Sequence, residues 1–422
     1  METVVERGWV HNIRRTKRFL FVILRNRGGL TQLTFKKEAN PELFERADEL
    51  GLEDVIEVKG VLVEKAISKL GREIIPLELK VLSKARHPLP LDVKGDIPAQ
   101  LPVRLDWRPL DLRRKENRLV FEVQASIIEA AESFLREKGF LQVFTPCIIG
   151  GISEGGAEVF RIDYFGREAF LRQDPQLHRQ LLMVAGFEKI FEVGPSWRAE
   201  KSHTRRHLCE HRGIAVEMSF IRDEYDVMRL EEELVCFIMD FVIRKHKDEL
   251  EELGVELERP RRPFPVLEFP EIYDILRGMG KQVPYGGDYD RESEVLLWRY
   301  VRENYDNDFF FVNRFPFAVK PFYVMRVDEE PVWARSTDLI YKGVELSSGG
   351  QREHRYERIV EQIKLKNMDP AHLEWFTRHF MYGAPPHGGF NIGLERLTMQ
   401  ILGLKNIREA VLFARDVERL NP

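Results

Sequence analysis

Over residues 1 to 86 apolar positions alternate with polar ones or run in short blocks, in the manner of strands. Five candidates stand out: RGWVHN, RFLFVILR, LTQLTFKK, DVIEVKGVLVE and EIIPLELKVLS. The turns RNRGG and SKLGR punctuate them, and one segment, PELFERADEL, has helical spacing instead. Three strands, a helix and two more strands predict an OB-type barrel, a fold that commonly offers a strand face to single-stranded nucleic acid. Residues 87 to 115, beginning HPLPLDVKGDIPAQLPV, are rich in proline and lack a period, which predicts a hinge or linker. From residue 116 to 422 the period lengthens. ENRLVFEVQASIIEAAESFLREKG and DEYDVMRLEEELVCFIMDFVIRKHKDELEEL predict amphipathic helices, and PFYVMRV, TDLIYKGVEL and AVLFAR predict later strands. Strands and helices are interspersed without strict alternation, so the larger region is expected to be α+β, an antiparallel sheet flanked by helices.

Composition narrows the options. The 422 residues suffice for two domains, and 43% hydrophobic content supplies ample core. A net charge of −4 excludes a uniformly basic nucleic-acid coat, though not local basic patches. Cys147, Cys209 and Cys236 form no CxxC pair, so neither a disulfide framework nor a cysteine zinc site is expected. The start METVVERGWVHNIRR has no apolar stretch of signal-peptide length, and no apolar run reaches about 18 residues. A cytoplasmic protein with no membrane span is the expectation.

Four stretches carry candidate chemistry. In the first domain Arg14, Arg15, Lys17 and Arg18 adjoin Phe19 and Phe21, cations beside stacking platforms. The two rings share a strand face, however, and an interior position suits them equally. The second stretch, GPSWRAEKSHTRRHLCEHRGIAVEM, sets Arg198, Lys201, His203, Arg205, Arg206, His207, His211 and Arg212 between Glu200 and Glu217. It reads either as a solvated hairpin tip or as a phosphate clamp, since guanidinium forks bind phosphate oxygens in pairs. In GVELSSGGQREHR, Glu345 and Ser348 offer hard oxygens for Mg²⁺, with Arg352 beyond; an ordinary strand and glycine turn is the plain alternative. In PPHGGFNIGLERLTMQILG a glycine-rich strand enters a helix whose first turn holds Glu395 and Arg396. It matches neither a Walker A loop nor a dinucleotide fingerprint.

Taken together, these stretches resemble class II aminoacyl-tRNA synthetases along the whole chain. KGFLQVFTPCII resembles motif 1, with its proline at Pro146; SWRAEKSHTRRHL resembles motif 2, with Arg198 and Glu200; NIGLERL resembles motif 3, with Arg396. An amino-terminal OB barrel marks the aspartyl, asparaginyl and lysyl subgroup. EGGAEVF, DPQLHRQ, ELSSGGQREHR, APPHGGF and FARDVERLNP look most like the archaeal-type aspartyl members.

The resemblance implies activation of L-aspartate by ATP and transfer to the 3′ end of tRNA(Asp). It assigns catalysis to Arg198, Glu345 and Arg396, with Mg²⁺ on Glu345 and Ser348. ATP would meet Arg198, Ala199, Glu200, Arg206, His207, Leu208, Glu345, Gly393, Leu394, Glu395 and Arg396. The amino acid would meet Glu154, Asp174, Gln176, Arg179, Arg198, Ser348 and Arg352, the arginines 179 and 352 reading its β-carboxylate. In the barrel, Phe19 would stack on an anticodon base and Gln32 hydrogen-bond one, with His11 and Lys69 also on the tRNA. A homodimer with Pro146 at its interface is implied as well.

The chain also departs from the family pattern. Arg179 stands where a lysine is usual, Asp174 where a serine is usual, and Ala215 where an aspartate is usual. Two readings follow. Either Asp174 replaces the charge lost at Ala215 and meets the substrate ammonium, or the pocket is rebuilt for another amino acid. His11 occupies a position that carries Trp in tRNA-selective members and His in permissive ones, whereas Lys69 fits the selective type. Charging of tRNA(Asn) as well therefore stays open. An asparaginyl enzyme, a paralogue with altered specificity, a non-catalytic tRNA-binding relative and a tRNA-independent ligase are the alternatives.

Overall fold

The computed structural model describes residues 2–63, 68, 70–151, 158–201 and 204–422. Of the positions singled out above, Lys69, Glu154 and His203 lie outside the described residues. The chain divides into two compact units, Met1–Trp107 and Arg108–Pro422.

The first unit is the barrel that the alternation predicts. Strands β1 (Thr3–Arg15), β2 (Phe19–Asn26) and β3 (Gly29–Lys36) precede helix α1 (Pro41–Asp48), then β4 (Val55–Leu62) and β5 (Glu73–Ser83). They close in the order β1-β2-β3-β5-β4, antiparallel except where β3 meets β5. Period-two alternation sends Leu20, Val22 and Leu24 of β2 into the core, so Phe19, Phe21 and Ile23 face outward. Helix α1 starts as its sequence dictates. Asn40 Oδ1 accepts from Leu43 N at 3.0 Å, Pro41 occupies the first turn, and Leu43, Phe44 and Ala47 are buried in the barrel core. The proline-rich stretch expected as a hinge is not structureless. It carries α2 (Leu101–Asp106) and α3 (Arg108–Asp111). Pro102 sits in the first turn of α2, where a missing N–H does no harm.

The second unit, which opens with α3, continues with α4 (Lys115–Glu137) and β6 (Leu141–Gln142). A small sheet follows, from β7 (Ile148–Ile149), β8 (Arg161–Tyr164) and β9 (Arg167–Leu171), and then α5 (Gln176–Val184). The long hairpin β10 (Lys189–Trp197) and β11 (Glu210–Ser219) leads to α6 (Glu224–Lys245), α7 (Lys247–Glu252), β12 (Val266–Glu268), α8 (Glu271–Gly278) and α9 (Arg291–Tyr305). Next come β13 (Phe309–Asn313), the hairpin β14 (Ser336–Tyr341) and β15 (Val344–Arg352), α10 (Tyr356–Leu365), α11 (Glu374–Thr377), β16 (His387–Gly393) and α12 (Leu394–Leu402).

Eight strands form one sheet, ordered β12-β13-β14-β15-β16-β11-β10-β6. Its six inner strands are antiparallel and each end strand is parallel to its neighbour. Helices α4, α6 and α12 share one core with the sheet, contributed by Val123, Ile127, Leu234, Ile238 and Leu397 against Ile214, Val216, Phe390 and Ile392. Alternation therefore turns Gly213, Ala215 and Glu217 of β11, and Gly389 and Asn391 of β16, to the opposite face. Gly389 is required there, because a Cβ would lie 1.9 Å from Val216 O and 2.7 Å from Glu217 Oε2.

Two expected strands are absent. Residues 321–327 make only isolated bridges, Val324 to Arg352 and Arg326 to Ala334, and AVLFAR forms no ladder at all. The first run is mostly buried and the second buries Ala410, Val411 and Ala414, and periodicity alone does not distinguish such burial from pairing. In AVLFAR the carbonyls are met by a side chain. The buried Arg108 donates to Leu412 O (3.1 Å), Glu409 O (3.0 Å) and Val411 O (2.8 Å), and pairs with Asp111 at 2.6 Å. Among the described residues no helix is long and apolar enough to cross a membrane.

Arg108→Ala orphans those carbonyls and the buried Asp111 together. It should destabilise the chain by about 3–5 kcal/mol, read as a fall in urea midpoint, whereas the exposed Arg118→Ala should move it by under about 1 kcal/mol.

Candidate active site

The open face of the sheet floors a cavity of about 790 Å³. Arg198, Glu200, Arg206, His207, Leu208, Glu345, Ser348, Arg352, Asp174, Gln176, Gly393, Glu395 and Arg396 all line it, so most of the residues implied by the resemblance share one space. Ala199, Leu394 and Arg179 do not line it. Leu394 points into the hydrophobic core, as an apolar residue entering an amphipathic helix does, so its side chain offers a ligand nothing.

The cationic loop between β10 and β11 is no solvated tip. Arg408, buried and paired with Asp416, donates to Thr204 O at 2.8 Å, and Ile407 N donates to Arg205 O at 2.9 Å. Within the loop His207 Nδ1 lies 2.6 Å from Thr204 Oγ1, and Arg206 reaches Glu294 of α9 at 3.2 Å. Arg198, just past β10, is exposed to the cavity. Glu395 is nearly fully buried and accepts twice from Arg212 N (3.2 and 2.9 Å), so its carboxylate braces the β11 strand. Burial raises its pKa, and these donors oppose the rise. Arg396 donates to both the carbonyl (3.1 Å) and the carboxylate (3.2 Å) of Glu345.

Three oxygen donors converge on β14 and β15. Ser348 faces Asp338 in register, and Glu345 stands near enough to repel Asp338. Burial and then Glu345 push the Asp338 carboxyl up to about 6, despite Lys320 at 3.1 Å. A site that crowds anionic oxygens this way fits a hard divalent cation. Among the described residues no three His, Cys, Asp or Glu side chains form a cage.

At the other end of the cavity lie two ion pairs, each showing only one member. Arg352 is on the wall and Glu217, fully buried, sits behind it (Nε to Oε1, 3.1 Å). Asp174 is on the wall and Arg179, 1% exposed, sits behind it (Nη2 to Oδ2, 2.6 Å; Nη1 to Oδ1, 3.0 Å). Gln176 links the pairs: its Oε1 accepts from Arg179 (2.9 Å) and Arg352 (3.1 Å), and its Nε2 donates to Glu217 (2.9 Å). Arg352 also donates to Gly389 O at 3.0 Å, across the gap kept open by that glycine. Arg179 is set back from the cavity wall, its terminal nitrogens donating to Asp174 and Gln176.

Among the cavity residues that escaped the sequence reading are Lys320, Asp338, Asn391 and, as an individual ligand, His211. Asp338 was recoverable in principle, since the Lys342-Gly343 turn sets the register that puts it beside Ser348. His211 sits among Arg198, Arg396 and Arg212, and burial followed by those cations lowers its pKa to about 4.

The barrel has its own candidate interface. Phe19, 38% exposed, stacks on Phe21 at 6.0 Å, and Arg14 lies over the Phe21 ring at 4.7 Å. Gln32 is held by Glu73 (3.3 Å) and Thr34 (3.1 Å). His11 contacts Arg25, which is forked onto the buried Glu53 (3.0 and 2.7 Å). Burial, and then Arg25, lower the His11 pKa. Pro146 is exposed beside Phe144, itself 80% exposed.

Comparison with known proteins agrees with this geometry. The family described as tRNA synthetases class II (D, K and N) matches residues 100–417, and an OB-fold nucleic acid binding domain of anticodon type matches residues 4–82. An aspartate–tRNA(Asp) ligase of Pyrococcus horikoshii is 44% identical over 98% of this chain and 95% of its own length. An aspartate–tRNA(Asp/Asn) ligase of Methanopyrus kandleri is 44% identical over the same shares. The asparaginyl-tRNA synthetase of Pyrococcus horikoshii, solved with asparaginyl-adenylate, superposes with a TM-score of 0.91 at 32% identity, covering 100% of this chain and 96% of that one.

The pKa of about 4 at His211 predicts a ring that is neutral from pH 8 down to about 5. An imidazole ¹⁵N titration should place its midpoint near 4; a midpoint of about 6.5, the ordinary value, would mean that the surrounding guanidiniums point elsewhere.

Proposed function

Because the chain belongs to the class II tRNA synthetases of the D, K and N group, we propose that it is an aspartate–tRNA ligase. It joins L-aspartate to ATP, releasing pyrophosphate, and transfers the aspartyl group from the adenylate to the 3′ end of tRNA(Asp), releasing AMP. The observation that carries this reading is the two-ended cavity, with Arg198, Arg396 and Glu345 at one end and the Gln176-linked pairs of Arg352 and Asp174 at the other. Relatives 44% identical over nearly the full length carry the same activity in their names.

The reaction needs positioning and charge stabilisation more than a protein nucleophile. The aspartate α-carboxylate attacks the α-phosphorus, and Arg198 bridges the two as negative charge gathers on the phosphoryl oxygens. Arg206, His207 and Arg396 hold the nucleotide, with Gly393 and the backbone at Ala199, Leu208 and Leu394 leaving room beside it. Glu345, Ser348 and Asp338 would hold Mg²⁺, which neutralises phosphate charge when bound. Arg352 reads the β-carboxylate. Its Nε and Nη2 are committed to Glu217, Gln176 and Gly389, which leaves Nη1 for the substrate. A donor-only group of this kind opposes the NH₂ of asparagine. The barrel receives the anticodon, with Phe19 as stacking platform and Gln32 and His11 beside it. His11 supports charging of tRNA(Asn) as well, whereas Lys69 supports selectivity for tRNA(Asp). A homodimer meeting near Pro146, working in the cytoplasm, completes the reading.

One observation favours a second reading, activation of asparagine. Asp174 adds an acceptor to a wall that otherwise presents donors, and an amide can use both. ATP–pyrophosphate exchange across the twenty amino acids decides. Aspartate-dependent exchange supports the main reading, asparagine-dependent exchange the second, and no exchange at all would sink both. Arg198→Ala should lower exchange by about 10²- to 10³-fold. Phe19→Ala should leave exchange unchanged while raising the KM for tRNA by about 10- to 100-fold, the effect of one lost base stack.

A further inference from the structure

We propose that Arg179 is a positioning residue that never touches the substrate: it holds Asp174 on the cavity wall, and Asp174 is the group that meets the substrate ammonium. This rests on the amino-acid-activating reading above and deepens it. The geometry is specific. Asp174 lies just ahead of α5 and its carboxylate folds back onto Arg179, the fourth residue of that helix, by two parallel hydrogen bonds of 3.0 and 2.6 Å. Bidentate pairing of this kind fixes both position and orientation. The arginine is sealed from the cavity while the carboxylate edge remains open to it. Asn391 Nδ2 approaches Asp174 Oδ1 from the neighbouring strand at 3.5 Å. Oδ2, which accepts from Arg179 Nη2, keeps a second lone pair for a donor arriving from the cavity.

The charges around Asp174 favour the same assignment. Burial alone would raise its carboxyl; Arg179 first, then Arg352 and Arg172, outweigh burial and hold it below the ordinary carboxylate value. His211 is the other titratable group that faces it, and at about 4 it stays neutral through the working range. Glu217 and Glu192 both act on Arg179 and help to hold its charge. The wall therefore offers an anion and a cation side by side, Asp174 and Arg352, each backed by a buried counter-ion. That is the complement of an amino acid carrying an ammonium and a side-chain carboxylate. A lysine in place of Arg179 would place one charge there without the fork.

Exchange assays with L-aspartate as substrate and succinate as competitor test this, because succinate has both carboxylates and no ammonium. Asp174→Asn should raise the KM for aspartate about 10- to 100-fold and leave succinate inhibition intact. Arg179→Gln removes the group that keeps Asp174 ionised. Its KM for aspartate, compared with the unaltered enzyme at each pH, should climb as pH falls from 8 to 6, again with succinate inhibition intact. Arg179→Lys should restore a flat profile. The proposal is overturned if Arg179→Gln abolishes succinate inhibition and raises KM equally at every pH, since Arg179 would then read a carboxylate itself. Thermal midpoints report folding. Should Arg179→Gln fail to fold, Arg179→Met in the Asp174→Asn background, where the arginine has already lost its counter-ion, decides: no further change in KM supports the proposal, and a multiplicative loss refutes it. Absence of exchange with aspartate in the unaltered enzyme would instead count against the functional reading.

Discussion

A charge taken out of water must find a partner or neutralise, and this chain is organised around that requirement. Arg108 with Asp111, Arg172 with Glu192, Arg179 with Asp174, Arg352 with Glu217 and Arg408 with Asp416 are secluded pairs of this kind. Two of them are carpentry. Arg108 gathers the carbonyls of residues 409–412, and Arg408 ties that tail to the cationic loop through Thr204. The exception obeys the same rule. Glu231 of α6 has no cation beside it, only the Ser347 hydroxyl, and burial pushes its carboxyl up to about 8, so it is neutral at pH 7. Secluded pairs of this kind add little net stability, yet they fix geometry to tenths of an ångström, which is what a positioning catalyst needs.

The sheet determines where that geometry is spent. With one face closed by α4, α6 and α12, period-two alternation sends every second residue of β11, β15 and β16 to the other side. Adjacent antiparallel strands then bring residues far apart in sequence side by side: Ala215 with Asn391, Ser348 with Asn391, Asp338 with Ser348. The glycines at 349 and 389 allow neighbouring strands to pass closely, since a Cβ at either position would meet backbone within 2.6 Å. The cationic loop is quiet for the same reason. Its charges sit at the end of a hairpin whose flanks are in the sheet and whose tip is tied to the carboxyl-terminal tail.

The barrel was readable from the chain because each strand is half-buried and shows its alternation openly, as β2 does with Leu20, Val22 and Leu24. The floor of the cavity was readable through motifs, which located Arg198, Gln176, Glu345, Ser348, Arg352 and Arg396. Apolar runs at 321–327 and 410–415 misled, because a buried segment without a ladder has the composition of a strand. Asp338 and Lys320 were hidden for a different reason: their role depends on register and on a loop crossing the sheet, neither of which a linear pattern encodes. Arg179 is the sharpest case. Its spacing from Asp174, five residues across a helix start, predicts no contact by helical rules, and only the fold-back of residues 174–176 creates one.

That contact changes what the departures at 174, 179 and 215 mean. Considered singly, losing an acid at 215 and gaining one at 174 alters the pocket twice. Considered with the pairs, the count is unchanged: two cations, Arg179 and Arg352, and two carboxylates, Asp174 and Glu217, remain around Gln176. What has moved is which ion the substrate sees. An acid on β11 would stand in the middle of the sheet; at position 174 it stands at the mouth of α5, with its arginine behind it and Ala215 reduced to 3% exposure. An arginine suits that role better than a lysine, because it remains charged when buried and can grip both carboxylate oxygens at once. The three substitutions are therefore one rearrangement, in which a side chain that would point at the substrate is withdrawn behind the group it now holds in place.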